Sequence, residues 1–194
     1  MAESQQSITE KWDHRHSEAE DSGEPAVVLT ENIHLLTPGG KALDLACGRG
    51  ASALLMVKAG LTVTAWDLSP VAIDRLRTGA VAAGMEITAE VRDIVAHPPG
   101  VASFDLILVS HFLERSLAGA IIDALKPGGL LLYQTFNHNA VSGRGPANPA
   151  FRLADNELLS LFQPLLVRYY REEGRLGDTT RGDRDLAMLV AEKA

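Results

Sequence analysis

Short apolar runs alternate along the chain with segments in which apolar residues recur at helical spacing. The short runs are rich in residues that favour strands, and they cover residues 41–46, 61–66, 86–91, 104–109 and 130–136. The helical spacing occupies residues 51–59, 70–83 and 112–125, and the Ser69-Pro70 pair is typical of a helix start. Strands that alternate with helices predict an α/β fold with a doubly wound, mostly parallel sheet covered on both faces.

The alternation ends after the fifth predicted strand. A loop at residues 137–149 comes first, and a helix-like segment follows at residues 154–162. Residues 164–172 and 186–191 then form two apolar runs separated by a polar turn, which predicts a hairpin. We therefore expect an antiparallel pair of strands at one edge of the sheet.

The first 36 residues predict two short helices, at residues 10–18 and 24–36, which lie outside the sheet as a cap over a ligand. A length of 194 residues is typical of one domain. We expect that domain to consist of the cap at residues 1–36, a core at residues 41–136, and a substrate loop, helix and hairpin at residues 137–194.

The composition argues against several classes of protein. Hydrophobic residues make up 46% and charged residues 22% of the chain, the balance of a globular protein that buries a core. The sequence lacks the run of about 18 apolar residues that a membrane span needs, and its polar N-terminus lacks a secretory signal. The single cysteine, Cys47, cannot pair within the chain, which agrees with a cytoplasmic location. A net charge of −7 disfavours binding to nucleic acid.

A glycine-rich turn joins the first predicted strand to the first predicted core helix. Gly48, Gly50 and Ala53 form a G-x-G-x-x-A pattern. Glycines allow the backbone to approach a ligand, and the N–H groups at the helix start favour an anionic or polar group. Asp67 ends the second strand, where a carboxylate can accept hydrogen bonds from both hydroxyls of a ribose. The pattern fits a dinucleotide, a methyl donor that contains adenosine, or a tight turn without a ligand.

Three segments in combination resemble the class I S-adenosylmethionine-dependent methyltransferases. They are the loop at residues 43–50, the acid in Trp66-Asp67-Leu68-Ser69-Pro70, and the Leu-Lys-Pro-Gly-Gly segment at residues 125–129. The resemblance implies a Rossmann-like methyltransferase fold, S-adenosylmethionine as the cofactor, and transfer of its methyl group. It also implies that Asp93 and Ile94 contact the adenine. The cofactor-binding residues that it implies are Trp12, Arg15, Asp44, Ala46, Cys47, Gly48, Gly50, Asp67, Leu68, Asp93, Ile94 and Ser110.

Residues 12–16, Trp-Asp-His-Arg-His, resemble the W-D-x-R-Y segment of the TehB-like tellurite-resistance and thiopurine methyltransferases. His16 stands where that segment has a tyrosine. The resemblance implies a small-molecule acceptor, such as a thiol or a chalcogen oxyanion like tellurite, with no nucleic-acid or membrane partner. His14 and His16 have H-x-H spacing, but on a helix their rings diverge, so we predict no metal site. We expect a monomer or a loose homodimer.

Three residues near the ends of the fourth and fifth strands are candidates for the catalytic group. His111 directly follows the fourth strand and titrates near neutrality, so it is a candidate acid, base or positioning group. The alternative is a histidine that lines the cofactor pocket through its backbone. Arg144 shares a glycine-containing loop with Asn137 and can clamp an anionic substrate, unless it is a solvated arginine in a mobile loop.

Two other functions stay open. The glycine pattern and Asp67 also fit an NAD-dependent oxidoreductase. Against it, the Lys-Pro-Gly-Gly segment at residues 126–129 is explained by the methyltransferase pattern alone, and no second glycine turn of that kind follows. A non-catalytic, methyltransferase-like protein that binds the cofactor satisfies the same motifs, because those motifs specify binding rather than turnover.

Overall fold

Helices and strands alternate along the chain. In the computed structural model, which describes residues 5–17 and 23–194, the seven described strands belong to one mixed sheet. The strands are β1 (Lys41–Leu45), β2 (Thr62–Asp67), β3 (Thr88–Val91), β4 (Phe104–Ser110), β5 (Leu125–Phe136), β6 (Leu166–Glu172) and β7 (Leu186–Glu192). The α-helices are α1 (Gln5–Ser17), α2 (Val27–Glu31), α3 (Ala51–Lys58), α4 (Pro70–Ala82), α5 (Ala118–Ala124) and α6 (Glu157–Leu161). Short 3-10 helices occur at Ile33–Leu35, Arg115–Leu117 and Pro149–Phe151.

The strand predictions are confirmed, with one boundary that differs clearly. Strand β5 begins at Leu125 rather than at residue 130, so the Lys-Pro-Gly-Gly segment is part of the strand. Leu125 pairs with Phe104, and the register then shifts before Leu106 pairs with Leu130. The extra residues form an irregularity at the start of the strand, and the N–H of Gly128 donates to the carbonyl of Lys193 at 2.8 Å.

The helices predicted at residues 51–59 and 70–83 are confirmed as α3 and α4. Helix α4 begins at Pro70, as predicted, because the Ser69 side chain accepts a hydrogen bond from the N–H of Ala72. The helix predicted at residues 112–125 is shorter, since Glu114 caps a 3-10 turn and α5 follows only at Ala118.

The predicted N-terminal cap is also altered. The helix expected at residues 24–36 is reduced to α2 and a 3-10 turn. They are separated at Asn32, whose side-chain amide donates to the carbonyl of Val28 at 2.9 Å. The helix expected at residues 10–18 is α1, which begins earlier, and residue 18 lies outside the described part of the chain.

The chain forms two compact units, of which the first ends at Pro98. Its strands have the order β3-β2-β1 and are parallel, and α3 and α4 pack on them. Its fully buried side chains include those of Leu43, Met56, Ile73 and Leu76. Each contributes roughly 1.5–3 kcal/mol by leaving water. This core fixes the carboxyl ends of β1 and β2, from which the candidate site is built.

The second unit begins at Pro99, and its strands have the order β4-β5-β7-β6. Strands β4 and β5 are parallel, and β7 is antiparallel to both β5 and β6. The predicted antiparallel pair is therefore present, but β7 is the inner strand. The reason is burial, because β7 is buried from Leu186 to residue 191, whereas Leu166 and Val167 of β6 are about half exposed.

The fold class predicted from the sequence, α/β with a mostly parallel sheet and an antiparallel edge, is confirmed. The division into a cap, a core and a substrate region stays a prediction. Among the residues that the structure describes, no helix has the length and apolar character needed to span a bilayer.

Candidate functional site

The glycine-rich turn follows β1 and leads directly into α3. Ala46, Gly48 and Gly50 have φ angles of 59°, 52° and 84°, in the left-handed region. At Gly50 a Cβ would lie 2.2 Å from the Leu76 side chain. Both the backbone conformation and the packing therefore require glycine there. The turn is held to β2 by the N–H of Cys47, which donates to the carbonyl of Trp66 at 3.0 Å.

Asp67 lies at the end of β2 and is bound to this turn. Its side chain is only 9% exposed. One carboxylate oxygen accepts the N–H of Gly48 at 2.8 Å, and the other accepts the N–H of Ser69 at 2.9 Å. Burial raises the pKa of Asp67, and these two hydrogen bonds oppose the rise. Each oxygen has a second lone pair, so the predicted contact with ribose hydroxyls is compatible with this arrangement.

Asp44 is the most unusual group of the first unit. Its side chain is 1% exposed, and its Oδ2 atom has no hydrogen-bond partner among the described residues. Burial raises the pKa of Asp44 to about 7; the nearby Asp67 charge also raises it, whereas a hydrogen bond from the N–H of Ala53 lowers it. A buried carboxyl atom without a partner is costly, and a ligand that donates to it would remove that cost.

The sequence also predicted that the N-terminus of α3 offers free N–H groups to an anion. The structure changes this expectation, because the Ala53 N–H is already bonded to the Asp44 carboxyl group. The Ser52 hydroxyl, in the same turn of helix, accepts the N–H of Ala26 at 2.9 Å. The turn therefore presents buried acid beside the glycines, and it favours a ligand group that donates hydrogen bonds.

Helix α1 lies against α4 and reaches the glycine turn. The Ser69 hydroxyl donates to the Asp13 carboxylate, which joins α1 to the start of α4. The His16 ring lies at the turn, since a Cβ on Gly48 would be 3.4 Å from its Cε1 atom. Burial lowers the pKa of His16, and the Asp67 charge opposes that change.

The other two predicted residues of α1 contact the turn less directly. The Trp12 ring stacks on His16 with 6.0 Å between ring centroids. The guanidinium of the exposed Arg15 lies over the Trp12 ring, 5.5 Å from the ring centroid. His16 thus makes the contact with the turn, and its role was the one that the sequence left unassigned.

The predicted adenine contacts lie just after β3. The Asp93 carboxylate accepts the N–H groups of Val95 and Ala96 at 3.0 and 3.1 Å, which closes a turn. Ile94 is 6% exposed, and Leu68 at the end of β2 is half-buried. An open cavity of about 450 Å³ includes Asp93 in its lining.

Cys47 is part of the glycine turn. Burial, then the charges of Asp44 and Asp67, raise the pKa of its thiol well above the usual range. The thiol is therefore uncharged at neutral pH, which disfavours it as a nucleophile.

In the second unit, Ser110 and His111 mark the end of β4. Ser110 is half-buried and pairs in register with Gln134 of β5. His111 is exposed and has a φ angle of 54°, which is uncommon for a residue other than glycine. Its N–H donates to the carbonyl of Gln134 at 2.9 Å, and its ring centroid lies 5.1 Å from that of Phe136. The backbone is therefore fixed, while the imidazole is on the surface of the unit.

Asn137, the third predicted catalytic residue, lies at the start of the loop after β5. Its side chain is fully buried, and its amide donates to the carbonyl of Arg184 at 3.5 Å. Its own N–H donates to the carbonyl of Asp185 at 2.9 Å, so the residue holds two segments of the unit together. Its Oδ1 atom is buried without a hydrogen-bond partner among the described residues, so the predicted catalytic role of Asn137 stays a prediction.

Two functional residues were missed by the sequence analysis. The Asp185 carboxylate accepts the N–H groups of Val141 and Ser142 at 2.7 and 2.9 Å, and it also accepts the Ser142 hydroxyl. Arg152 donates to three carbonyls of the loop that follows β5. Both residues fix the loop that contains Arg144. No local pattern signals these roles: the residues that Asp185 bonds lie 43 and 44 positions away, and those that Arg152 bonds lie 6 to 15 positions away in an irregular loop.

Comparisons with known proteins agree with the site in the first unit. The family described as "Methyltransferase domain" matches residues 42–129, which include the glycine turn, Asp67 and Asp93. This segment is therefore similar to a methyltransferase domain. The predicted resemblance to class I S-adenosylmethionine-dependent methyltransferases is confirmed, and so is the predicted cofactor.

Curated proteins that are similar to this chain include longer proteins. A ubiquinone biosynthesis O-methyltransferase of Xanthomonas campestris pv. campestris (strain B100) is 29% identical over 143 residues, which are 70% of this chain and 56% of the relative. One of Stutzerimonas stutzeri is 25% identical over 195 residues, 95% of this chain and 81% of the relative. The chain spans just over half the length of the first of these relatives.

Several solved structures share the fold of nearly the whole chain. TehB from Haemophilus influenzae has a TM-score of 0.71 at 22% identity, over 95% of this chain and 67% of that one. The [4+2]-cyclase SpnF has a TM-score of 0.76 at 17% identity, over 100% and 97%. A geranyl diphosphate C-methyltransferase from Streptomyces coelicolor A3(2), in complex with S-adenosyl-L-homocysteine, has a TM-score of 0.66 at 16% identity, over 86% and 79%. At these identities the likeness establishes the fold alone.

Proposed function

We propose that this protein is an S-adenosylmethionine-dependent methyltransferase that methylates a hydroxyl group of a small molecule. The observation that carries the proposal is the buried Asp44 carboxyl group at the glycine turn, one oxygen of which has no partner in the part of the chain that the structure describes. S-adenosylmethionine carries an ammonium group and two ribose hydroxyls, all of which donate hydrogen bonds. Two buried acids, Asp44 and Asp67, match that set of donors.

In this proposal, different residues of the first unit bind different groups of the cofactor. Asp44 binds the ammonium group, and Asp67 binds the ribose hydroxyls. The left-handed backbone from Ala46 to Gly50 allows the ligand to approach the turn closely. Asp93 and Ile94 bind the adenine. When it is bound, the cofactor supplies an electrophilic methyl group on a sulfonium.

The buried Asp44 argues against an NAD-dependent oxidoreductase. A dinucleotide places a pyrophosphate with two negative charges on the glycine turn, where it is bound by free N–H groups. In this chain the Ala53 N–H is bonded to the Asp44 carboxyl group and is not free to bind the pyrophosphate.

A hydroxyl acceptor is supported by the curated relatives, which are named as O-methyltransferases. A hydroxyl is a weak nucleophile, so it gains from a base that takes its proton as the new bond forms. His111 is exposed at the carboxyl end of β4 with its backbone fixed, and its imidazole is the candidate base. A thiol or a chalcogen oxyanion, which the sequence favoured, has weaker support, because the likeness to TehB concerns the fold alone.

The first test is a calorimetric titration of the protein with S-adenosylhomocysteine and, separately, with NAD. We expect S-adenosylhomocysteine to bind and NAD not to bind. Asp44→Asn and Asp67→Asn should each weaken S-adenosylhomocysteine about tenfold to a hundredfold, since each removes a charged hydrogen-bond acceptor. Asp74→Asn, which changes an exposed acid of α4, is the matched control. Binding of NAD alone would refute the proposal.

The second test separates an enzyme from a cofactor-binding protein. A radiolabelled methyl donor is supplied with phenols, catechols, thiols and tellurite in parallel, and the methylated product is identified by mass spectrometry. A methyl ether is the expected product. A thioether or a methylated tellurium product would show that the acceptor is a soft nucleophile and not a hydroxyl. Tight cofactor binding without any product would support the non-catalytic alternative.

A further inference from the structure

A small cavity of the second unit is lined in part by an exposed arginine, Arg144. The cavity has a volume of about 190 Å³. One wall comes from the end of β5 and the loop that follows it, and the other comes from the residues that precede β7. Phe136, Val141 and Leu186 supply apolar surface, and Arg144 lies among them.

The arginines near this cavity have different roles. The Arg152 guanidinium donates to the carbonyls of Pro146, Asn137 and Arg144, at 2.7–3.1 Å. The Arg184 guanidinium donates to three backbone carbonyls and pairs with a nearby glutamate. These two side chains hold the loops in place. The N–H donors of these two guanidinium groups bind carbonyls of the protein itself.

Arg144 differs from them. Within residues 5–17 and 23–194, its guanidinium has no hydrogen-bond or ion-pair partner. Its backbone, by contrast, is fixed on both sides: its N–H donates to the Ser142 hydroxyl at 3.1 Å, and its carbonyl accepts from Arg152 at 2.7 Å. A fixed backbone with unused donors is an arrangement prepared for an anion.

The surrounding charges limit that anion to a single negative charge. Asp183 and Asp185 also line the cavity. Burial raises the pKa of Asp185, but the hydrogen bonds from Ser142 and Val141, with the Arg144 charge, outweigh it and hold that pKa below its usual range. Asp185 is therefore ionised at neutral pH, and a doubly charged group such as a phosphate would be repelled.

The size of the cavity limits the rest of the ligand. A cavity of about 150 Å³ with apolar walls is large enough for benzene. The cavity of this protein is slightly larger, and its lining is mixed: three side chains supply apolar surface beside the two aspartates. The Arg144 guanidinium among them has a geometry that matches a carboxylate. Phe136, which forms part of the cavity wall, is also the residue that contacts the His111 ring.

We infer that this cavity binds the carboxylate of the methyl acceptor, and that the acceptor is a ring-sized hydroxy acid with one negative charge. The statement that this ligand is the methyl acceptor rests on the proposed function. The binding site itself does not, since it can be measured without the cofactor and without turnover.

The test compares benzoate with benzamide, which have nearly the same shape but differ in charge. Their affinities for the full-length protein are measured by ligand-observed NMR or calorimetry, with phenylphosphonate as a third ligand. We expect benzoate to bind at least about tenfold more tightly than benzamide, and phenylphosphonate to bind more weakly than benzoate. Equal affinities of benzoate and benzamide, tighter binding of phenylphosphonate, or no binding of benzoate would each overturn the inference.

Two variants locate the site. Arg144→Gln should weaken benzoate about tenfold or more and leave benzamide unchanged. Arg168→Gln removes an equal charge from the exposed strand β6, where Arg168 pairs with Glu192, and should change neither affinity. An equal loss in both variants would point to a general effect of charge and refute a specific site. Titration of the same samples with S-adenosylhomocysteine shows separately whether the proposed cofactor site is intact.

Discussion

Replacing Asp44 by asparagine should stabilise the protein without its cofactor, although the residue is placed in the binding site. Burial, with a contribution from Asp67, raises the pKa of Asp44 from 3.8 to about 7 in the folded state. Between these two pH values the folded protein keeps a proton that the unfolded chain has released. The contribution of Asp44 to stability therefore falls as the pH rises through this interval, and the loss is complete above about pH 7.

The size of the effect follows from the two pKa values. One pKa unit corresponds to 1.36 kcal/mol. A pKa raised from 3.8 to about 7 therefore corresponds to an upper limit of roughly 4 kcal/mol. Asparagine does not titrate, but its amide introduces donors that cost about 1–3 kcal/mol when they are buried without partners. That cost is the same at every pH, so the informative quantity is the rise with pH.

The assay is urea denaturation of the wild type and of Asp44→Asn at a series of pH values from about 5 to 8. The difference in the free energy of unfolding, variant minus wild type, should increase with pH by roughly 2–4 kcal/mol. Asp74→Asn, at an exposed site of α4, should give a difference that is nearly constant. Saturation with S-adenosylhomocysteine should reduce the increase for Asp44→Asn, because the ligand supplies the missing partner in the wild type.

A difference that does not change with pH would refute this reasoning. It would mean that Asp44 titrates in the folded protein as it does in the unfolded chain. The argument that its carboxyl group is buried without a partner would then be wrong, and the basis for placing the cofactor ammonium at this position would be removed.

Three further predictions concern other parts of the chain. His111→Gln should lower kcat about a hundredfold with little change in the affinity for S-adenosylhomocysteine, measured by initial rates and calorimetry, and a variant as active as the wild type would exclude His111 as the base. Gly50→Ala should destabilise the fold by about 2 kcal/mol or more in denaturant titrations, because its Cβ would collide with a leucine of α4, whereas Gly84→Ala meets no neighbouring atom and should cost about 1 kcal/mol from its positive φ angle alone. Asp185→Asn should loosen the loop after β5 and lower the free energy of unfolding by about 1–3 kcal/mol in denaturant titrations, and unchanged stability would show that the loop keeps its position without that carboxylate.

The sequence by itself determined the class of fold and the place of the glycine turn and of Asp67 in that fold. Apolar spacing predicted the strands and the main helices, and Ser69 marked the start of α4. The glycine turn and Asp67 were also predicted, because their roles depend on local features: positive φ angles, and a place at the end of a strand. Such features depend on residues that are close together in the sequence, so they can be predicted from a single sequence.

Only the tertiary structure decided which side chains have partners. It placed β7 between β5 and β6, because a strand buried along its length needs a neighbour on both sides. It left Asp44 with an unpartnered oxygen and brought the His16 ring to the glycine turn. It also buried Asn137 and left the Arg144 guanidinium without a partner in the described chain, although both residues belong to one loop. These outcomes depend on contacts between residues that are distant in sequence, and hydrophobic spacing does not encode such contacts.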